Sequence, residues 1–166
     1  MRVTLPWAAG RAHVDRNRVA ADGVHHSMTD SLRALRAFFA AEADYLTAGG
    51  PGNASFDGMA EHLHPNVVMH QAEALPYGGR WSGPEGIEAF MSAMSAAWSS
   101  LAFTEQYLAA DGPVAVARSR GVLRSRATGR ELDTWVMQWF TFDEGRISEI
   151  RPFYLDTAAV LDVLRS

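Results

Sequence analysis

The stretch HQAEALPYGG at 70–79 sets an imidazole, a carboxyl and a phenol close together, just ahead of a helix-opening segment, WSGPEGI. These are groups that exchange protons or donate hydrogen bonds in acid–base catalysis. A carboxylate that enters an apolar pocket has its pKa raised toward neutrality, which makes Glu73 the candidate general base. His70 is the candidate orienter of Glu73, and Tyr77 a candidate donor to a substrate oxygen. Gln138 joins them as the one polar side chain between Trp135 and Phe140 in TWVMQWFTF. A buried amide left unpaired costs about 1–3 kcal/mol, so Gln138 needs a partner: a side chain on a neighbouring strand, or a ligand. Trp98, Trp135, Trp139, Phe140 and Tyr154 are the candidate ligand-binding residues, since aromatic rings stack on flat apolar molecules. Each residue also has an ordinary reading: solvated loop glutamate, histidine bonded to backbone at a strand end, aromatic core.

Other chemistries are excluded by composition and spacing. Cysteine is absent and all fifteen basic residues are Arg, which removes thiolate nucleophiles and a lysine Schiff base. No GxSxG is present for serine catalysis. GGPGN lacks the Lys-Ser or Lys-Thr of a phosphate loop and reads as a connector. His62 and His64 lie near His70 and Glu73, but on a helix they diverge by about 200° and no HExxH supports them, so no metal site is expected. The chemistry envisaged calls for no cofactor.

Positioning these groups requires a framework, and 166 residues at 48% hydrophobic content are enough for one domain with a substantial core. Leu32, Leu35, Phe38 or Phe39, and Leu46 recur at helical spacing, with Thr29 or Asp30 as cap. FDGMAEHLHP predicts a short second helix stopped before Pro65, and NVVMH a strand. Ser82 and Glu85 match a capping box for a third helix carrying Ile87, Phe90, Met91, Met94 and Trp98 on one stripe. Beyond Ser100, runs rich in Val, Phe, Trp and Thr are separated by ADGP, ATGR and DEG, which predicts a meander of four long antiparallel strands. TAAVLDVL closes the chain as a helix capped by Asp156 or Thr157. Helices before strands give an α+β domain, with the helices on one face of a curved sheet.

The strand at 134–142 is apolar on both faces. Trp135, Met137 and Trp139 point one way, and Val136, Phe140 and Phe142 the other, so the outer face also needs a cover; a homodimer is the expected one. Residues 1–27 lack a sustained apolar period and are expected to be a disordered, dispensable extension, leaving 28–166 as the domain. They carry four Arg and two acids, against eleven Arg and seventeen acids in the remainder. An acidic body predicts no nucleic-acid partner. The absence of a bilayer-length apolar run predicts no membrane partner, and the lack of cysteine leans toward the cytoplasm.

The order of elements, with LPYGG.WSGPEGI and DEGRISEIRPFYLDT as its most specific pieces, resembles the SnoaL-like group of the nuclear-transport-factor-two-like superfamily, over roughly residues 28–164. That superfamily includes ketosteroid isomerase, limonene epoxide hydrolase and polyketide cyclases. The resemblance implies a cone-shaped α+β barrel, usually dimeric, with a pocket between sheet and helices. Against the isomerases it aligns Glu73 with the base and Gln138 with an oxyanion donor, whereas Tyr45 falls out of register with their oxyanion tyrosine. Pro152 stands where the cyclases and epoxide hydrolases carry an acidic group, and Arg130 and Asp133 project apart instead of forming the hydrolase triad.

The expectation is therefore a protein that binds a hydrophobic small molecule. Three roles stay open: an isomerase- or cyclase-like enzyme for a carbonyl compound, a non-catalytic binding module, and a protein-interaction module.

Overall fold

A computed structural model describes residues 2–4 and 22–165. In chain order the elements are β1 (Arg2–Thr4), α1 (Asp22–Thr47), α2 (Asp57–Ala60), β2 (Leu63–Gln71), β3 (Gly79–Ser82), α3 (Gly83–Ala97), β4 (Trp98–Asp111), β5 (Val114–Ser125), β6 (Glu131–Asp143), β7 (Arg146–Tyr154) and α4 (Thr157–Leu164). Most of the segment expected to be an extension, residues 1 and 5–21, lies outside the described residues. Helix α1 begins ahead of Met28 and runs through both residues expected to cap it. Asp30 accordingly serves as a helix-surface partner of Arg33, at 2.8 Å.

The strands form one curved, unclosed sheet in the order β1-β4-β5-β6-β7-β2-β3. The long meander β4–β7 is antiparallel as the turn signals require. Between β6 and β7 the two loop residues Glu144 and Gly145 both take positive φ, 49° and 75°, the twist-matched geometry of a two-residue hairpin. β2 returns parallel to β7, and β3 pairs antiparallel with β2, bringing residues 70–79 back beside the sheet.

Helices α1 and α3 lie over the concave face. Leu35 and Phe38 from α1, and Ile87, Phe90 and Met91 from α3, are buried in the core with Phe140, Ile147 and Ile150 of the sheet. Phe38 meets Phe140 edge-on at 6.2 Å. The expected capping box does not form: Ser82 is the N-cap residue, but its side chain makes no capping hydrogen bond. The chain instead turns into α3 through Gly83, at a left-handed φ of 73°, and Pro84, whose ring pre-sets the helical φ. At the other end of the domain, the Asp156 carboxylate accepts from Ala159 N–H at 3.0 Å and caps α4 as expected.

Strand β6 has the predicted two-sided character. Val136, Phe140 and Phe142 are buried on the concave side, while Met137 and Trp139 are 46% and 41% exposed on the convex side. Phe153 and Tyr107 extend that exposed face across β7 and β4 at 56% and 57%. No helix is long and apolar enough to cross a membrane among the described residues.

Candidate ligand and proton-transfer site

Between α1, α3 and the concave sheet lies a cavity of about 290 Å³. Its walls are mostly apolar, from Phe39 and Leu46 of α1, Phe90, Met91 and Met94 of α3, and Val136 and Leu123 of the sheet. Polar groups share this shell, among them Glu42 from α1, Gln71 from β2, Gln138 from β6 and Tyr154 from β7, with the charged Arg36, Asp44 and Glu105 also in the lining. Such a volume sits near the lower end of small-molecule sites, ~300–1,000 Å³.

Glu42 is the group with chemical potential. It occupies the helix stripe of Leu35, Phe38, Phe39 and Leu46, so the geometry that buries those residues also carries its carboxyl inward. The carboxyl makes no hydrogen bond or ion pair to any described residue, and desolvation raises its pKa from 4.5 to about 7. Part of its side chain is open, and that open surface contributes to the cavity wall. A carboxyl in this state exchanges protons readily near neutral pH.

Tyr154 supplies a second group. Its hydroxyl lies 3.2 Å from the Tyr77 hydroxyl, which accepts a hydrogen bond from Trp98 Nε1 at 3.1 Å. Burial pushes the Tyr154 pKa well above its usual value, and the neighbouring Tyr77 adds to the effect. The phenol therefore stays neutral across the physiological range, with its hydroxyl hydrogen available for a hydrogen bond. Gln71 also lines the cavity, and its Oε1 accepts from Ala72 N–H at 3.1 Å.

The loop that delivers Tyr77 is built from two tight turns, with Leu75 N–H bonded to Ala72 C=O at 3.1 Å and Gly78 N–H to Leu75 C=O at 2.8 Å. A Cβ at Gly78 would collide with the carbonyl oxygens of Ala72, Glu73 and Leu75, so only glycine fits. Arg126 donates to Ser95 C=O at 3.0 Å and to Trp98 C=O at 3.3 Å, tying together the junction of α3 and β4.

The residues anticipated from sequence divide into two groups. Gln138 and Tyr154 line the cavity, and the Gln138 side-chain amide has no hydrogen-bond partner among the described residues. Tyr77 and Trp98 stand behind Tyr154, 1% and 0% exposed, as its support, so Tyr77 is a core residue. Phe140 is fully buried in the core behind the lining. Glu73 and His70 are elsewhere. Glu73 is exposed on the turn after β2, outside the cavity lining, because the tight turns direct Leu75 and Tyr77 inward and leave residues 73 and 74 outside. His70 sits on the convex face, with Nε2 3.5 Å from Glu149, whose carboxyl Arg151 holds below its usual pKa from 2.6 Å. Trp135 and Trp139 belong to that convex face too, Trp135 beneath the Arg118 guanidinium at 4.6 Å. Strand alternation accounts for this: residues 135, 137 and 139 point away from the side that carries Gln138.

Tyr45 packs edge-on against Phe56 with its hydroxyl buried and without a hydrogen-bond partner, outside the cavity lining. Arg130 pairs with Asp162 at 2.6 Å and Asp133 with Arg120 at 2.8 Å, so the two diverge as expected. Among the described residues no group of three His, Asp or Glu is placed to hold a metal ion.

The family model described as SnoaL-like domain matches residues 35–150. A search of curated proteins found no match. Solved structures with the same fold include an NTF2-like protein from Burkholderia xenovorans LB400, with TM-score 0.73, 16% identity and coverage of 84% of this chain and 98% of that one. A putative SnoaL-like polyketide cyclase from Jannaschia sp. CCS1 matches at TM-score 0.67 and 17% identity, over 89% and 97% of the two chains. An LEH-like epoxide hydrolase from M. tuberculosis matches at 0.54 and 21%, over 82% and 90%.

Proposed function

The chain belongs to the SnoaL-like domain family, and from that premise we propose that it binds a hydrophobic carbonyl compound in the cavity and moves a proton on it with Glu42. The observation that carries this reading is the Glu42 carboxyl, unpartnered on the cavity wall with a pKa of about 7. The family supports small-molecule binding, and the putative cyclase among the structural neighbours is in keeping with a carbonyl substrate.

In this mechanism the Glu42 carboxylate takes a proton from the carbon next to the carbonyl. The electron pair of the broken C–H bond moves onto the carbonyl oxygen, where Tyr154, and Gln138 from the adjoining strand, donate hydrogen bonds. The resulting Glu42 carboxylic acid returns the proton to another atom of the same molecule, so no co-reactant is consumed. Isomerisation and ring closure both follow this pattern. Glu73, exposed on its turn, takes no part.

Exchange in D2O tests the proposal. Wild-type protein with 2-tetralone as probe is expected to speed deuterium uptake at the α-carbon, and Glu42→Gln to slow it at least about 100-fold. Uptake no faster than in buffer would overturn the catalytic reading. The rival role is a non-catalytic binding module, favoured by Pro152 in the cavity lining, where the resembling cyclases carry an acid. We further propose a homodimer through the convex face, and a cytoplasmic location in keeping with a chain free of cysteine.

A further inference from the structure

We infer that Tyr77, backed by Trp98, is a positioning residue that fixes Tyr154 as an obligate hydrogen-bond donor into the cavity, so the ligand atom meeting Tyr154 is an acceptor oxygen. This rests on the cavity reading above and specifies which end of the ligand the sheet recognises.

A donor inventory carries the argument. The indole Nε1–H of Trp98 only donates, and its partner 3.1 Å away is the Tyr77 oxygen. Tyr77 has one hydroxyl hydrogen to place, and the residue is 1% exposed. Its other hydrogen-bond partner is the Tyr154 oxygen, at 3.2 Å. Were Tyr154 to donate to Tyr77 instead, the Tyr77 hydrogen would be stranded in the core without an acceptor, and buried donors are rarely left so. The chain of bonds therefore runs from Trp98 to Tyr77 to Tyr154.

Gln71 works in the same sense. The Ala72 N–H holds the Gln71 oxygen at 3.1 Å, which fixes the amide orientation and leaves its NH2 beside the Tyr154 oxygen. With donors behind it and beside it, the Tyr154 oxygen acts as acceptor to the protein, and its own hydrogen is left for the cavity that Tyr154 lines. A carbonyl or enolate oxygen satisfies that hydrogen; a ligand end with no acceptor leaves it unpaired.

The test compares two naphthalenes of similar size, 2-acetylnaphthalene with an acceptor oxygen and 2-ethylnaphthalene without one, by calorimetric titration. Wild type is expected to bind the ketone at least about 5-fold more tightly, in line with one hydrogen bond. Tyr154→Phe should bring the ratio near one. Tyr77→Phe frees Tyr154 to turn its hydrogen elsewhere, and should cut the ratio at least about 3-fold with 2-ethylnaphthalene affinity unchanged. Gln71→Glu, nearly isosteric, offers the Tyr154 hydrogen a competing acceptor and should cut the ratio likewise; it decides the matter if Tyr77→Phe does not fold. A ratio that stays at the wild-type value in these variants overturns the inference. Equal weakening of both probes does so too, because it marks a purely structural role. Failure of wild type to bind either probe would overturn the cavity reading itself.

Discussion

Glu42 and Tyr154 line one cavity, the carboxyl carried by helix α1 and the phenol by strand β7 of the sheet, and burial raises the pKa of both. The shared cause has different consequences. A carboxyl raised to about 7 moves between charged and neutral forms under ordinary conditions. A phenol raised further stays protonated and can only donate or accept hydrogen bonds. In the proposed reaction, acid–base work falls to the helix and oxygen recognition to the sheet.

Glu42 should cost the protein stability at alkaline pH. Burial raises the folded carboxyl to about 7 from its ordinary 4.5, so between these the folded chain holds the extra proton. Stability then falls as pH rises through that interval and levels off above it. Glu42→Gln removes the cost. Urea unfolding is expected to show the variant more stable than wild type at pH 8, by about 3 kcal/mol at most, and nearly equal to it at pH 4.5.

Glu73→Gln should behave as a surface change. The side chain is exposed and outside the cavity lining, so unfolding free energy is expected to shift by less than about 0.5 kcal/mol and probe affinity not at all. Calorimetric titration with 2-acetylnaphthalene checks this.

Gly78→Ala should be destabilising well beyond an average loop substitution. Three backbone carbonyl oxygens occupy the space a methyl group needs, and backbone yields less readily than a flexible side chain. A loss of about 2 kcal/mol is expected in denaturant unfolding, with weaker binding of the ketone probe because Tyr77 is displaced.

Met137→Arg tests the convex face. Met137 and Phe153 are cross-strand neighbours at 46% and 56% exposure, with Trp139 beside them at 41%. Wild type is expected to sediment as a dimer at micromolar concentration and the variant as a monomer with unchanged melting behaviour.

Much of the architecture was legible because it follows from periodicity and turn chemistry. The meander is written in ADGP, ATGR and DEG, and Asp156 caps the last helix as its side chain suggests. The site was legible only in part. Gln138 announced itself as an amide within an apolar strand, and it does face the cavity. Glu73 misled, because the direction of a loop side chain is set by the Leu75 and Gly78 turn bonds, which leave little trace in composition. Glu42 was missed although its signal was present: it fills a place in the Leu35, Phe38, Phe39 and Leu46 stripe where an apolar residue would otherwise stand. An acid on the buried face of an amphipathic helix is the sequence mark of a cavity carboxyl. The bond between Tyr77 and Tyr154 joins residues 77 apart in the chain and depends on the pairing of β2 with β7, which no local pattern encodes.

The most direct test of the account is the side-chain carboxyl titration of Glu42, followed by carbon-13 NMR on glutamate-labelled protein and assigned by its loss in Glu42→Gln. A midpoint near 7 is the predicted result, reporting a desolvated carboxyl on the cavity wall. A midpoint near the ordinary value of 4.5 would show a carboxyl in contact with bulk water, and would contradict both the site and the proton transfer assigned to it.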